Sequence, residues 1–175
     1  MKTLPYYQIP EPPESVMGTA ILIRLVDALA FRYRWATEDL KPDNGDYKPG
    51  PESMSIMELL EHIYSLSNWI RTIICANCSD DDRPETNNIE DYRLTTLEIL
   101  KDIRSEFRKI DDKKLSEIEI KRETGDSVPF WYFINGPLAD AFTHVGQINS
   151  FRRLAGNPAP KSQLFLGLPP EKETI

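Results

Sequence analysis

The sequence predicts an all-α protein of 175 residues, folded as one four-helix-bundle domain over 1–175. Four long segments repeat apolar residues at spacings of three and four, which is the pattern of amphipathic helices. Clusters of Pro, Gly, Asn and Asp separate these segments. The chain is long enough to bury a core without disulfides or a structural metal.

The N-terminal arm, residues 1–14, is predicted to be extended because its prolines disfavour a helix. Such an arm could pack on its own bundle or on a neighbouring copy. The first helix is predicted from about Ser15 to Leu40, followed by a loop over 41–50. Its inward face is formed by Leu22, Leu25, Val26, Leu29, Tyr33 and Ala36.

The second helix has a clear start signal. Ser55 with Glu58 three residues later predicts a capping box, and the helix is expected to persist to about Ala76. The acidic connection over 78–88, including Asp80–Asp82, is long enough for a crossover. The third helix is predicted over 89–110, with an inward set of Tyr92, Leu97, Leu100, Ile103 and Phe107.

The periodicity changes before the fourth helix. Leu115, Ile118 and Ile120 are separated by charged residues, and 124–126 resembles a turn, so a short strand pair is possible here. An aromatic block over 130–133 follows. It either plugs one end of the bundle or supplies Trp131 and Tyr132 as the wall of a pocket.

The fourth helix is predicted to begin with Asn135 as its cap and Pro137 in its first turn. It is expected to end near Ala155, with Gly156 as a left-handed cap. Arg152 and Arg153 are interpreted as charges that answer the helix dipole. The tail over 157–175 is predicted to run over the surface.

The only two histidines of the chain both lie on apolar helix faces. Asp140 and His144 are four residues apart, which places them one turn apart on one face of the fourth helix. His62 lies within the apolar stripe of the second helix. A single core histidine is more often a packed ring than a ligand. The set of three instead favours a divalent metal, zinc or nickel first, with iron or manganese as alternatives.

At these residues the chain resembles the DinB/YfiT-like superfamily of four-helix-bundle metalloenzymes. His62 in Leu-Leu-Glu-His-Ile matches the histidine on the second helix of the family, and His144 in His-Val-Gly-Gln matches the last one. Asp140 occupies a position where the family more often has histidine. The similarity extends roughly over 15–157. It implies a metal held by His62, Asp140 and His144, and a hydrolase or thiol-transferase reaction on a small-molecule substrate.

No general base can be identified from the sequence. Tyr64, Asn135 and Gln147 are candidates by location, and together with Trp131 and Tyr132 they form the possible pocket. The competing hypothesis is a non-catalytic ligand-binding or protein-interaction bundle without a functional metal, in which the histidines are buried polar contacts.

Charge and composition limit the partners. The net charge of −7 argues against nucleic acid, because phosphate binding needs a basic surface. No secretory signal or membrane span is recognisable, so we expect a cytoplasmic protein. The arm and the tail predict a homodimer. Cys75 and Cys78 follow a helix C-terminus, where the dipole disfavours thiolates, so we assign them neither redox nor zinc chemistry.

Overall fold

The fold is an all-α four-helix bundle, as the sequence predicted. The computed structural model describes residues 4–10, 17–75, 78, 83–122 and 124–171. Its elements in chain order are α1 (Gly18–Ala36), a 3₁₀ turn (Pro42–Asn44), α2 (Ile56–Ile74), α3 (Ile89–Phe107), α4 (Asp112–Ser116), β1 (Glu119–Lys121), β2 (Ser127–Pro129), α5 (Trp131–Phe133), a π-helical turn (Ile134–Leu138) and α6 (Ala139–Leu154).

The four long helices α1, α2, α3 and α6 form the bundle. The last turn of α6 reaches the end of α1, where Arg152 donates to Ala36 O, so these two helices run in the same direction. The first turn of α3 also lies at the end of α1, because Arg93 donates to Thr37 Oγ1. Arg71, near the end of α2, lies 3.8 Å from Asp102, near the end of α3, so α2 and α3 run in the same direction, opposite to α1 and α6. The chain between Ile74 and Ile89 therefore joins two helices that run in the same direction, in agreement with the predicted crossover.

The start of α2 confirms the predicted capping box. Glu58 N donates to Ser55 Oγ at 3.1 Å, and Ser55 N donates to Glu58 Oε2 at 2.6 Å. These reciprocal bonds lower the pKa of Glu58 to about 2, chiefly through the backbone N–H of Ser55, with Lys48 adding a second contribution. The start of α3 is capped in a similar way by Asn88, which accepts from Asp91 N.

The core confirms the predicted inward faces. On α3 all five predicted residues are buried, and on α1 the predicted set is buried except for Leu25, which is half-buried. The first helix ends earlier than predicted, at Ala36, where the Thr37 hydroxyl donates to Tyr33 O and Asp39 takes a positive φ of 55°. The predicted helix limits Ser15 and Ala76, and the acidic residues Asp80–Asp82, lie outside the described residues.

The strand pair between α3 and α6 is confirmed. β1 and β2 are antiparallel, with Ile120 opposite Val128. The short helix α4, which the sequence did not predict, precedes them. Asp112 of α4 accepts from Gly18 N at 3.2 Å and from Thr19 N at 3.0 Å, so it satisfies the first backbone donors of α1.

The predicted start of the fourth helix is wrong. Asn135 does not cap a helix but lies, exposed, inside the π-helical turn. The chain is already helical from Trp131, and Pro137 lies in the interior of the turn. Gly136, with φ −89° and ψ −106°, marks a kink. A proline removes one helical hydrogen bond, and a π turn is one way for a helix to continue past such a defect.

The N-terminal arm packs on its own bundle over residues 4–10. Tyr6 is buried and donates to Leu100 O, and Trp35 Nε1 donates to Tyr7 O. Ile9 N donates at 2.8 Å to Gly167 O in the C-terminal tail. The arm and the tail, the two surfaces on which the dimer prediction was based, therefore contact each other in the same chain.

The structure adds to two interpretations of the sequence. Arg152 is fully buried, and its guanidinium donates to carbonyl groups at the end of α1, so it does more than answer the dipole of its own helix. Cys75 and Cys78 are joined by a disulfide, which the sequence analysis did not predict. Within the described residues, no helix is long and apolar enough to cross a bilayer.

Candidate metal centre

The three predicted ligands meet between α2 and α6. His62 lies in the second turn of α2, while Asp140 and His144 lie in the first two turns of α6. The side chains of His62 and Asp140 are 39% and 45% exposed, whereas that of His144 is 13% exposed. The cluster therefore has one shielded member and one side that is open to solvent.

The carboxylate of Asp140 spans the two imidazole rings. Its Oδ2 lies 3.2 Å from His62 Nε2, and its Oδ1 lies 3.2 Å from His144 Nε2. The two rings meet edge to face, with their centroids 4.7 Å apart. One ligand atom from each residue lies within 4.8 Å of the others.

Gln147 orients the more shielded ring. Its Oε1 lies 2.7 Å from His144 Nδ1, which matches the tautomer whose Nδ1–H donates to the amide oxygen. In a neutral imidazole the lone pair is then on Nε2, which faces the Asp140 carboxylate. Two lone pairs facing each other at 3.2 Å are unfavourable unless a proton or a metal ion lies between them.

This donor set fits a divalent cation. Two imidazole nitrogens and one carboxylate oxygen come from two neighbouring helices of the bundle. A hydrogen bond to the second nitrogen of a histidine is the usual means of orienting a metal-ligating ring. Such a set suits zinc, nickel, iron or manganese, and it leaves coordination positions for other ligands.

The other predicted pocket residues are distributed differently. The Tyr64 ring packs edge to face on Tyr92 of α3, 5.7 Å away between centroids. Trp131 is 71% exposed and Tyr132 is 54% exposed. Trp131 lines a cavity of about 430 Å³ with residues of α1 and α4, and none of the three ligand candidates lines it. Among these residues, Gln147 hydrogen-bonds His144, one of the candidate ligands.

The aromatic residues 130–133 split into two that face the core and two that face outwards. Phe130 and Phe133 are buried, stack on each other with centroids 4.9 Å apart, and meet Phe107 edge to face. These two residues plug the bundle. Trp131 and Tyr132, which lie between them, point outwards.

A second group of ligand-type side chains was missed by the sequence analysis. Cys75, Cys78 and the Glu106 carboxylate also lie within 4.8 Å of one another. Glu106 is on α3, so no spacing along the chain could have connected it with the cysteines.

Comparison with known proteins supports the fold. No family model matches the chain, and no curated protein matches it. Among solved structures, the chain is similar to YjoA, a DinB-like protein from Bacillus subtilis. The TM-score is 0.63 at 20% sequence identity, covering 81% of this chain and 96% of the other.

The fold and the cluster together define the class of protein: a helical bundle with a possible His–Asp–His metal centre between two helices. The match to YjoA confirms the resemblance to DinB-like proteins at the level of the fold. The chain has the DinB-like fold.

Proposed function

We propose that the protein is a metal-dependent enzyme that holds a divalent ion on His62, Asp140 and His144. The observation that supports this most strongly is the convergence of three ligand atoms, from two helices, to within 4.8 Å of one another. Zinc or nickel is the proposed ion, with iron or manganese as alternatives, because the set mixes imidazole nitrogen with carboxylate oxygen.

The proposed reaction is hydrolysis or transfer of a thiol to an electrophile, on a small-molecule substrate. When bound, a divalent ion supplies Lewis-acid activation of a water or of a substrate thiol. Gln147 holds His144 in the tautomer that presents Nε2, and Asp140 contributes negative charge next to both rings. The exposed sides of His62 and Asp140 leave room for a small molecule to approach.

One observation favours the non-catalytic alternative. His62 Nε2 and His144 Nε2 each lie 3.2 Å from an Asp140 oxygen, so a proton on each Nε2 would donate a hydrogen bond to the carboxylate without any metal. In that case the cluster would join α2 to α6, and the bundle would serve as a ligand-binding or interaction module.

Elemental analysis separates the two functions. The protein is purified without chelator, supplemented with zinc or nickel, desalted and assayed for bound metal. We expect one equivalent in the wild type and loss of it in His62→Ala and in His144→Ala. Thr143→Ala is the matched control, because its exposed hydroxyl donates only to Ala139 O in the hydrogen bonds of the described residues. A folded wild-type protein without metal after supplementation would favour the interaction module.

We also propose a cytoplasmic homodimer without a nucleic-acid partner. Because the arm and tail contact each other, the support for a dimer is a turn of the tail that Gln163 and Leu168 close by a backbone hydrogen bond. Within this turn Phe165 is 98% exposed between Leu164 and Leu166. An exposed apolar cluster of this kind is typical of an interaction surface. Light scattering at micromolar concentration tests this, and a monomeric mass would contradict it.

A further inference from the structure

We infer a second, redox-controlled metal site at the opposite end of α2 from its capping box: in the reduced protein, Cys75, Cys78 and Glu106 bind a thiophilic divalent cation such as zinc. The two Sγ atoms and a carboxylate oxygen of Glu106 lie within 4.8 Å of one another. In the structure the two sulfurs are bonded to each other, which is the closed form of the site.

The donor atoms are suited to zinc. Two thiolates separated by two residues are a typical pair in zinc sites, and a carboxylate is a competent third ligand. The three side chains are neither fully buried nor fully exposed, so a cation can reach them and a water can complete a tetrahedron. The site shares no residue with the centre formed by His62, Asp140 and His144.

The surrounding backbone also favours a cation. The cysteines follow the C-terminus of α2, and Glu106 lies in the last turn of the parallel helix α3. Arg71, in the last turn of α2, pairs with Asp102 of α3 at 3.8 Å, which shows that both C-terminal ends lie side by side. Each helix C-terminus carries a partial negative charge. The same field that disfavours free thiolates therefore stabilises a cation bound to them.

The Glu106 carboxylate has a lysine partner that a metal ion can displace. Lys109 Nζ contacts Glu106 Oε1 at 2.6 Å, and the lysine side chain is 65% exposed. An exposed pair of this kind contributes little stability, so the lysine can leave when a divalent ion arrives.

The opening step balances with an external reductant. A phosphine and one water reduce the Cys75–Cys78 bond: the S–S bond breaks, each Sγ gains one electron and one proton, and the phosphine becomes its oxide. Binding of a divalent cation then releases the two thiol protons to the buffer. Reoxidation of the dithiol by a disulfide of the medium would expel the cation and close the site.

Cobalt(II) is the probe, because its near-ultraviolet thiolate charge-transfer band reports sulfur ligation alone. The His144→Ala variant is used as background, so that the histidine centre does not compete for cobalt. The test of the cysteine site then gives the same answer whether or not the proposed histidine centre binds metal. This protein is reduced with phosphine, desalted under nitrogen and titrated with Co²⁺. We expect the band to saturate at one equivalent and to be bleached by zinc, which binds such sites more tightly than cobalt.

Three comparisons test the ligand set. The same protein without reduction, and Cys75→Ser or Cys78→Ser in the same background, should show no band. Glu106→Gln should bind cobalt at least tenfold more weakly. Glu98→Gln is the matched control and should bind with unchanged affinity, because Glu98 forms the same type of pair, with Lys101 at 2.7 Å, on the same helix.

Several results would overturn the inference. One is a reduced protein that keeps its helical circular dichroism and shows no thiolate–cobalt band. Loss of helical signal on reduction alone would also overturn it, since the site requires α2 and α3 to stay packed. Equal cobalt affinities of Glu106→Gln and Glu98→Gln would show that Glu106 is not a ligand, and the proposed site would be wrong.

Discussion

Replacing Arg152 with methionine should destabilise the bundle far more than the same change at its neighbour Arg153. Arg152 is fully buried, and its Nη1 donates to Ala36 O and Glu38 O, each at 2.8 Å. Its Nε and Nη2 donate to Asn157 O at 2.6 Å and Asn157 Oδ1 at 3.2 Å. This one side chain therefore joins the C-terminal ends of α1 and α6 to the start of the tail.

The magnitude follows from the groups left without a donor. Methionine retains most of the apolar stem but leaves the carbonyl groups of Ala36 and Glu38 without this partner. An orphaned buried polar group costs about 1–3 kcal/mol, so two partly relaxed carbonyls should cost about 3 kcal/mol in the free energy of unfolding. For a domain of this size that corresponds to a decrease of about 6–12 °C in Tm.

Urea denaturation of Arg152→Met and Arg153→Met gives the test. Arg153 is exposed on the same turn, so its replacement controls for the loss of charge and of helix-dipole interaction. We expect Arg153→Met to stay within about 0.5 kcal/mol of the wild type. If both variants unfold at the same urea concentration, the buried network does not stabilise the bundle as argued here.

The remaining predictions concern the helix cap, the tail, a glycine of α6 and the cavity. Ser55→Ala should cost about 1 kcal/mol in urea denaturation, because the first turn of α2 loses its cap. The pKa of Glu58 is lowered from 4.5 to about 2, so its contribution to stability is present above pH 4.5 and is lost as the pH falls towards 2; a Glu58→Gln penalty that did not shrink over that range would contradict this. Gly167→Ala should destabilise the protein by about 1–2 kcal/mol, since Gly167 has φ +70° and a Cβ there would lie 2.7 Å from Ile9. In the same denaturation assay Gly146→Ala should stabilise it by up to about 1 kcal/mol, because a Cβ at this position of α6 meets nothing within 4 Å. Trp131→Ala should leave the metal content unchanged by elemental analysis, because Trp131 lines a cavity that none of the three ligand candidates lines. Loss of metal from a folded Trp131→Ala variant would instead show that Trp131 belongs to the metal centre.

The parts of the fold that depend on local sequence were predictable. The capping box at Ser55, the inward face of α3 and the strand pair each follow from residues close together in the chain, and the structure confirms them. Helix ends were less accurate, because the end of α1 depends on a hydroxyl bond of Thr37 and on the positive φ of Asp39. The kink at Gly136 was missed because Asn135 and Pro137 also fit an ordinary helix start.

The candidate site was predictable to the extent that periodicity determines which face a residue occupies. Asp140 and His144 share a face by their spacing. His62 lies 78 residues before Asp140 and was joined to them because it also lies on an apolar helix face and because it matches the family pattern. Trp131 and Tyr132 could not be placed from composition, because a run of aromatics does not show which of them face the core. Glu106 became a candidate ligand only when the packing of α3 against α2 was known.

The most direct test of the proposed metal centre is the metal stoichiometry of Asp140→Ala and Asp140→His beside the wild type, with the Cys75–Cys78 disulfide intact. We expect one divalent ion in the wild type and an affinity at least tenfold lower in Asp140→Ala, equivalent to about 1.4 kcal/mol or more of binding free energy. Asp140→His should retain the ion, with a shift towards zinc, because imidazole is a good ligand for that metal. Full occupancy in a folded Asp140→Ala would remove Asp140 from the centre. An absence of metal from all three proteins after supplementation would contradict the proposal of a metal-dependent enzyme.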